Sequence, residues 1–251
     1  MSLPNSLPRG QAPTSGRKPI LCYVTDRRSL PVPTQQDPTQ QDLIALLLEK
    51  IALVAAAGVD WIQLREKDLS GKQSAALTRE ALRSLSEQSN RAQSPTRVLV
   101  RILVNDRLDV ALAEQASGVH LGENSLPADD ANHLVRAGRV ASSRPRDFLV
   151  GVSAHSLEAA KSAASAGAGY VFFGPVFATP SKSPYGAPQG LERLAEVCAS
   201  VTIPVIAIGG ISMENAPECL SAGASGLAAI RLFQDSTDPA SIVRALRGQN
   251  R

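Results

Sequence analysis

The sequence predicts an α/β protein folded as a single (β/α)8 barrel, a TIM barrel, and three observations support this. Short aliphatic runs alternate with longer amphipathic stretches along the chain. The length, 251 residues, suits one such barrel. Hydrophobic residues make up 43% of the chain and aromatic residues only 4%, which is typical of aliphatic helices packed on buried parallel strands.

The short aliphatic runs have the composition of strands that are buried on both faces. The alternative is an open doubly wound sheet, which is disfavoured because Val24-Thr25-Asp26-Arg27, and not a glycine-rich turn, follows the first run. The predicted strands are Ile20–Val24, Trp61–Leu64, Val100–Val104, Gly118–Leu121, Phe148–Val152, Tyr170–Phe173, Pro204–Ile208 and Gly226–Ile230.

Between the strands, apolar residues recur at the three-to-four spacing of helices that cover a sheet. Strand–helix alternation predicts parallel pairing through right-handed crossovers. The predicted helices are Leu43–Ala57, Lys72–Gln88, Leu108–Gln115, Ala128–Ala137, Leu157–Ala166, Leu191–Ala199, Glu214–Ala222 and Pro239–Leu246.

A recurring small-residue segment closes four of these helices before the next strand, and glycine at a helix C-cap explains it. The segments are Ala57–Asp60, Ala116–Val119, Ala166–Gly169 and Ala222–Ser225. Polar stretches at 30–41, 88–97 and 140–146 predict surface loops. We expect a loose tail at 1–18 and one catalytic barrel over 19–251.

Charge and composition exclude several classes of protein. The net charge of +3 comes without a block of basic residues or an aromatic platform, so no nucleic-acid partner is predicted. Three scattered cysteines indicate reduced thiols, and no apolar run reaches membrane-spanning length. The N-terminus lacks an apolar signal core. We therefore expect a cytoplasmic enzyme with no membrane association, as a monomer or a homo-oligomer.

The most informative polar cluster follows the second predicted strand. Alternation places Gln63, Arg65 and Lys67 on one side of this segment. Cations at the end of a buried strand are costly unless an anion pairs with them, which predicts a phosphate or diphosphate clamp. The alternative is a structural ion pair with Glu66 or Asp68.

Two further strand ends carry acidic or imidazole groups. Asp106, after Asn105, is a candidate Mg²⁺ ligand beside phosphate oxygens, or else an N-cap of the following helix. His120 alternates with apolar neighbours, which favours a hydrogen-bonded histidine of the barrel interior. Glu123 is a candidate ligand for a metal or for a substrate amine.

The remaining strand ends offer groups that suit an anion. Ser153 and His155 share one side and are candidates for phosphate binding and proton transfer, or else Ser156 caps the next helix and His155 only packs. A loop over 174–182 ends in Lys182, which is a candidate for neutralising a leaving diphosphate, or a solvated lysine. Glycines Gly209 and Gly210 predict close approach of the backbone to an anion.

Taken in order, these segments resemble the family of thiamine phosphate synthase and its paralogue thiazole tautomerase, from about Ile20 to Leu246. The motifs that carry the resemblance are Gln63-Leu64-Arg65-Glu66-Lys67, Val104-Asn105-Asp106, Gly118-Val119-His120-Leu121-Gly122, Gly151-Val152-Ser153-Ala154-His155, the loop from Gly174 to Lys182, and Ala207-Ile208-Gly209-Gly210-Ile211.

The resemblance implies a transferase that joins an aminopyrimidine diphosphate to a thiazole phosphate and releases pyrophosphate. It implies that Asp106 binds Mg²⁺. The pyrimidine diphosphate would be held by Gln63, Arg65, Lys67, Asn105, Ser153 and Lys182. The thiazole phosphate site would be lined by Thr179, Ser181, Gly210, Ile230 and Arg231, and Leu64, Glu66, Pro180 and Gly209 are further candidates for substrate binding.

Two departures from the family pattern favour the tautomerase branch. Ser125 stands where the synthase has a second metal-binding aspartate, with Glu123 as the candidate substitute for that ligand, and Arg231 stands where the synthase has a small hydroxyl residue. A tautomerase needs a proton carrier, for which His155 matches. The complete motif of Gln63, Arg65 and Lys67 and the pair Asn105-Asp106, which a tautomerase would not require, favour the synthase. A paralogue that binds thiamine intermediates without turnover is the third hypothesis.

Overall fold

A computed structural model describes residues 18–31, 38–91, 100–139, 148–179 and 187–248. Eight parallel strands pair in chain order and close into a barrel, because β8 pairs with β1. The strands are β1 (Ile20–Val24), β2 (Trp61–Leu64), β3 (Arg101–Asn105), β4 (Gly118–Leu121), β5 (Leu149–Ala154), β6 (Tyr170–Phe173), β7 (Val205–Ile208) and β8 (Gly226–Ala229). The predicted barrel is confirmed, and the open sheet is wrong.

Helices cover the outside of the barrel. They are α1 (Gln40–Ala56), α2 (Gly71–Arg91), α3 (Leu108–Ala113), α4 (Ala128–Arg139), α5 (Leu157–Ser165), α6 (Gly190–Ser200), α7 (Ala216–Ser221), α8 (Arg231–Gln234) and α9 (Pro239–Gly248). The predicted elements all form, with ends shifted by a few residues. The short α8 and a 3-10 turn at Arg27–Ser29 were not predicted, since neither is long enough to show a periodic pattern.

The barrel separates two apolar cores. One lies between strands and helices and takes one row of each strand, such as Leu21 and Ile62. The other fills the barrel and takes the alternate row, including Trp61, Tyr170 and Phe172. Alternation along a strand therefore decides which side chains can reach the mouth of the barrel.

The turns that end α1, α5 and α7 use glycine in the left-handed region, at Gly58, Gly167 and Gly223. The turn after α3 differs from the prediction, because Gln115 adopts the positive φ of 57° and Gly118 belongs to β4. The backbone oxygen and Cβ of Leu149 occupy the space that a side chain at Gly118 would need.

Several predictions fall outside the described residues. The N-terminal tail up to residue 17, most of the loop 88–97 and the loop 140–146 are among these, as is part of 30–41. The three cysteines are free thiols, as predicted. Among the helices of the described ranges, none combines the length and the apolar character that a bilayer crossing requires.

Gly151 lies on the inward row of β5, where its missing side chain leaves room for the ring of Tyr170. A Cβ at position 151 would overlap the phenol carbon Cζ, and the fully buried ring cannot move away. We expect Gly151→Ala to lower the free energy of unfolding by at least about 2 kcal/mol, measured by urea denaturation. Gly169→Ala, where the nearest atom lies 3.5 Å from the added Cβ, is the control and should cost less than about 1 kcal/mol. Equal effects would contradict this account of the packing.

Candidate active site

The end of β2 brings two of the three side chains of the predicted clamp to the inward row. Trp61 packs inside the barrel, so Gln63 and Arg65 follow it on the same side. Gln63 is buried and Arg65 is half-buried. Lys67 lies beyond the strand and is exposed. Neither cation makes an ion pair with an acidic side chain in the described part of the chain.

The acids beside this segment pair with a different arginine. Arg27 donates from Nη1 to Glu66 at 2.9 Å and from Nη2 to Asp68 at 2.7 Å. Glu66 also accepts the hydroxyl of Thr25 at 2.6 Å. The predicted alternative, an ion pair of Arg65 or Lys67 with Glu66 or Asp68, is therefore wrong. These acids hold the loop after β1.

Two residues of the same motif face away from the mouth. The Leu64 side chain packs in the core between strands and helices, so only its backbone can approach a ligand at the mouth. Both carboxylate oxygens of Glu66 are committed to Thr25 and Arg27. Both side chains are thus engaged in contacts within the fold, and the predicted contact of these two residues with substrate stays a prediction.

A chain of hydrogen bonds links Asp106 to Gln63. Asn105 donates from Nδ2 to Asp106 Oδ2 at 2.8 Å, and its Oδ1 accepts from Gln63 Nε2 at 2.8 Å. Because an ionised carboxylate only accepts, Asp106 sets the direction of both amides. The remaining oxygen, Gln63 Oε1, is buried and has no partner within the described residues. It is an acceptor available to a ligand N–H group.

Asp106 does not cap α3, so that predicted alternative is wrong. It has a positive φ of 58°, and Arg107 follows it as the N-cap residue. Its Oδ1 accepts from the backbone N–H of Gly122 at 2.8 Å and from the hydroxyl of Ser125 at 2.6 Å. Burial alone would raise the pKa of Asp106, but these bonds and the one from Asn105 outweigh burial and lower it. The carboxylate stays ionised at neutral pH.

His120 is a buried, hydrogen-bonded histidine of the barrel interior, as predicted. Its Nδ1 lies 3.0 Å from the phenol oxygen of Tyr170, and its Nε2 lies 2.9 Å from the hydroxyl of Ser153. Burial lowers the pKa of His120 to about 3. The charge of Asp106 acts in the opposite direction and raises this pKa, whereas the charge of Arg65 lowers it further. The imidazole of His120 is therefore uncharged at neutral pH.

The lowered pKa of His120 predicts a loss of stability in acid. Between about pH 6.5 and pH 3 the unfolded chain binds a proton at this residue that the native state does not. The free energy of unfolding should fall with decreasing pH in this window, by up to about 1.4 kcal/mol per pH unit from this group. Below about pH 4, Asp106 and Asp68, whose pKa values are also lowered, add to the loss. Urea denaturation of the wild type and of His120→Asn tests this, since equal pH slopes would contradict it.

His155 and Ser156, which follow β5, have different roles in the structure. Ser156 caps α5, accepting from the N–H of Ala159 at 3.1 Å. His155 donates from Nδ1 to the carbonyl of Gly174, and its Nε2 lies 3.9 Å from Glu123 Oε2. Both side chains are partly exposed. His155 is thus fixed at the rim with Nε2 facing Glu123.

Glycines shape the opposite side of the mouth. Gly209 and Gly210 have φ values of 96° and 67°, and a Cβ on Gly210 would lie 2.7 Å from Cβ of Phe177. The N–H of Phe177 donates to the oxygen of Gly209 at 3.0 Å. The segment after β6 therefore lies directly against the end of β7, and only glycine permits this approach.

Of the remaining predicted site residues, the structure describes Thr179, Ile230 and Arg231. Thr179 is half-buried at the end of the described segment after β6, while Pro180, Ser181 and Lys182 lie outside the described residues. Ile230 packs against the barrel interior, and Arg231 begins α8 with an exposed side chain. The predicted contacts of these residues stay predictions.

The candidate metal ligands do not form a cluster of acids. In the ranges that the structure describes, no group of three or more His, Cys, Asp or Glu side chains is placed to hold an ion. The Oε2 atom of Glu123 lies 3.9 Å from Nε2 of His155, and Ser125 donates its hydroxyl to Asp106. Mg²⁺ is commonly held by one or two carboxylates together with substrate phosphates. Asp106 fits Mg²⁺ in this way only if phosphate oxygens complete the ligand set.

Two residues of the site were missed in the sequence. Arg27 and Tyr170 lie 39 and 50 residues from Glu66 and His120, the groups they bind. Tyr170 was predicted only as part of the strand Tyr170–Phe173, and not as a hydrogen-bonding residue of the site. The available signal for Tyr170 was its position opposite Gly151 on the neighbouring strand. A large residue paired with a glycine indicates that the large side chain fills the space that the glycine leaves open.

Fold and site define a class: a barrel enzyme whose strand ends present cations, amides and hydroxyls to an anionic ligand. The comparisons give the family. A family model described as thiamine monophosphate synthase matches residues 32–233, and the chain belongs to that family.

Individual relatives agree with this family. A thiamine-phosphate synthase of Methanocella arvoryzae is 44% identical over 192 residues, covering 76% of this chain and 82% of that protein. One of Methanoculleus marisnigri is 41% identical over 197 residues, covering 78% and 83%. The solved thiamine phosphate pyrophosphorylase from Pyrococcus furiosus has a TM-score of 0.69 at 29% identity, covering 92% of this chain and 94% of that one.

Proposed function

We propose that this protein is a thiamine phosphate synthase, which condenses 4-amino-5-hydroxymethyl-2-methylpyrimidine diphosphate with a thiazole phosphate. The products are thiamine phosphate and pyrophosphate. The observation that carries the proposal is the state of Arg65 and Lys67, which no described acid neutralises in a chain of this family. The acids beside them pair with Arg27, so the cations are available to an anionic substrate.

The reaction breaks the bond between the pyrimidine methylene carbon and the diphosphate oxygen. The departing diphosphate takes the electron pair and leaves a pyrimidine-methyl cation. The thiazole nitrogen then supplies the electron pair of the new carbon–nitrogen bond, and no general base is required for that bond. The main task of the protein is to stabilise the charge on the leaving group and to align the two substrates.

The residues of the proposed site have separate roles in this reaction. Arg65 and Lys67 face the diphosphate, and Ser153 donates to one of its oxygens. Gln63 offers its unpaired Oε1 to a donor on the pyrimidine, such as the amino group. The backbone at Gly209 and Gly210 borders the thiazole phosphate. Lys182, by its family position, completes the clamp on the leaving group.

Mg²⁺ belongs to the same proposal. Asp106 would hold it with diphosphate oxygens, and the ion would supply positive charge to the leaving group. Support comes from the ionised carboxylate of Asp106 and its position next to the amide chain of Asn105 and Gln63. The hydroxyl of Ser125 lies where it can add a neutral oxygen, which is a weaker ligand for Mg²⁺ than a carboxylate.

Ser125→Asp should strengthen the binding of Mg²⁺ at this site. A second carboxylate beside Asp106 adds a charged ligand, so the Mg²⁺ concentration for half-maximal activity should fall by about tenfold. Titration of activity with MgCl₂ measures this, and Ser125→Asn is the uncharged control. An unchanged or increased Mg²⁺ requirement in Ser125→Asp would contradict the placement of the ion.

The function is tested by measuring pyrophosphate release from both substrates with Mg²⁺ and after chelation. We expect release with Mg²⁺ and little without it. A parallel assay offers the thiazole carboxylate phosphate alone. Isomerisation of that compound without pyrophosphate release would replace the synthase by the tautomerase. If either ligand raised the Tm but neither assay showed turnover, the protein would bind thiamine intermediates without catalysing a reaction.

A further inference from the structure

A second chain of hydrogen bonds runs from the barrel interior to the mouth. The phenol of Tyr170 bonds to Nδ1 of His120, and Nε2 of His120 bonds to the hydroxyl of Ser153. Tyr170 is fully buried and His120 is 2% exposed, whereas Ser153 is half-buried at the end of β5. The chain therefore connects a buried group to a group that a ligand can reach.

The chain can run in two directions, because a neutral imidazole has one N–H group and one lone pair. With the proton on Nδ1, His120 donates to Tyr170 and accepts the hydroxyl proton of Ser153, which then turns only lone pairs to the mouth. With the proton on Nε2, Tyr170 donates to His120 and His120 donates to Ser153. The hydroxyl proton of Ser153 is then free to point outward.

The burial of the phenol decides between the two directions. If His120 donated to Tyr170, the phenol O–H would need another acceptor, and within the described residues it has no hydrogen-bond partner besides His120. A buried hydroxyl without an acceptor is disfavoured by about tenfold or more. The ring cannot turn away, because Trp61 and Phe172 pack against it at centroid distances of 4.7 and 5.3 Å.

We propose that His120 is a positioning residue: Tyr170 fixes its single proton on Nε2, and His120 thereby turns the hydroxyl of Ser153 into an outward donor. Anionic phosphate oxygens accept hydrogen bonds and do not donate them. A serine held as a donor before substrate arrives is therefore suited to a diphosphate oxygen. The identity of that acceptor rests on the proposed function, whereas the direction of the chain does not.

The direction is measurable by nitrogen NMR of the ligand-free, full-length protein carrying ¹⁵N-labelled histidine. The chain has three histidines, and His133→Gln and His155→Gln, both outside the core, assign the signals of His120 by elimination. We expect a neutral ring with the proton on Nε2. A proton on Nδ1, or a mixture of the two forms in the wild type, would overturn the proposal.

Two variants separate the contribution of Tyr170 from that of Ser153. Tyr170→Phe removes the donor at nearly unchanged volume, so both tautomers of His120 should then be populated. Ser153→Ala keeps the donor and should leave the proton on Nε2. If Tyr170→Phe left the tautomer unchanged, or if Ser153→Ala shifted it, the phenol would not be the group that sets the direction.

Steady-state kinetics test whether the donor acts on substrate. We expect His120→Asn and Ser153→Ala each to lower kcat/KM for the diphosphate substrate by about tenfold or more, since both remove one bond to a charged group. The double variant should lie within about twofold of Ser153→Ala. Losses that multiply would overturn the positioning role. If the wild type released no pyrophosphate, the proposed function would fail, and the NMR result would still decide the direction of the chain.

Discussion

Replacing Arg65 with alanine is expected to lower kcat/KM for pyrophosphate release by about 100-fold or more. Arg65 directly follows β2, in line with the inward residues Trp61 and Gln63, is half-buried and has no acidic partner among the described residues. Its guanidinium is therefore available to the charge that develops on the departing diphosphate. The loss should appear in kcat as well as in KM, because that charge is greatest in the transition state.

The same change should leave the fold nearly intact. No ion pair is broken among the described residues, and the backbone N–H of Arg65 still donates to Thr25 Oγ1 at 3.0 Å. We expect the free energy of unfolding to change by less than about 1 kcal/mol in urea denaturation. Arg244→Ala on the outer helix α9 is the control and should keep full activity. Wild-type activity in Arg65→Ala would refute the clamp.

Arg27→Ala should produce the largest loss of stability among the substitutions considered. Arg27 and Glu66 have side chains only 3% and 4% exposed, and their ion pair joins the loop after β1 to the end of β2. Removing the arginine leaves a buried carboxylate uncompensated, which typically costs about 3–5 kcal/mol. A chain of this size should lose roughly 6–20 °C in Tm, measured by differential scanning calorimetry.

Arg79→Ala is the matched control for this effect. Arg79 is 65% exposed and pairs with Glu114 at 2.6 Å on the outer surface. Exposed pairs of this kind contribute up to about 1 kcal/mol. If the two variants lost the same stability, the burial of the Arg27–Glu66 pair would not matter, and Glu66 would again be a candidate for substrate contact.

The sequence predicted the strand rows and the polar groups on them because alternation is a local property. Gln63 and Arg65 follow Trp61 at a spacing of two, so their side of the sheet was already determined. His120 was predicted in the same way, as a buried residue between apolar neighbours. The barrel followed from the regular alternation of strands and helices, whose ends moved by only a few residues.

Pairing between distant strands could not be predicted in this way. Glu66 and Asp68 are adjacent to Arg65 and Lys67, yet Arg27 binds both acids from 39 and 41 residues away. Asp106 has the sequence context of a helix cap, but its left-handed backbone directs the carboxylate across to Gly122 and Ser125. Each outcome depends on which strand lies next in space, and a local pattern does not contain that information.

Isothermal titration calorimetry with the pyrimidine diphosphate and with the corresponding pyrimidine alcohol, both in Mg²⁺, tests the anion clamp most directly. In the wild type, the diphosphate should bind far more tightly than the alcohol. Arg65→Ala should weaken the binding of the diphosphate by about 100-fold and leave the affinity for the alcohol unchanged. An equal loss of affinity for both ligands, or an unchanged affinity for the diphosphate, would show that Arg65 does not bind phosphoryl oxygens at this mouth of the barrel.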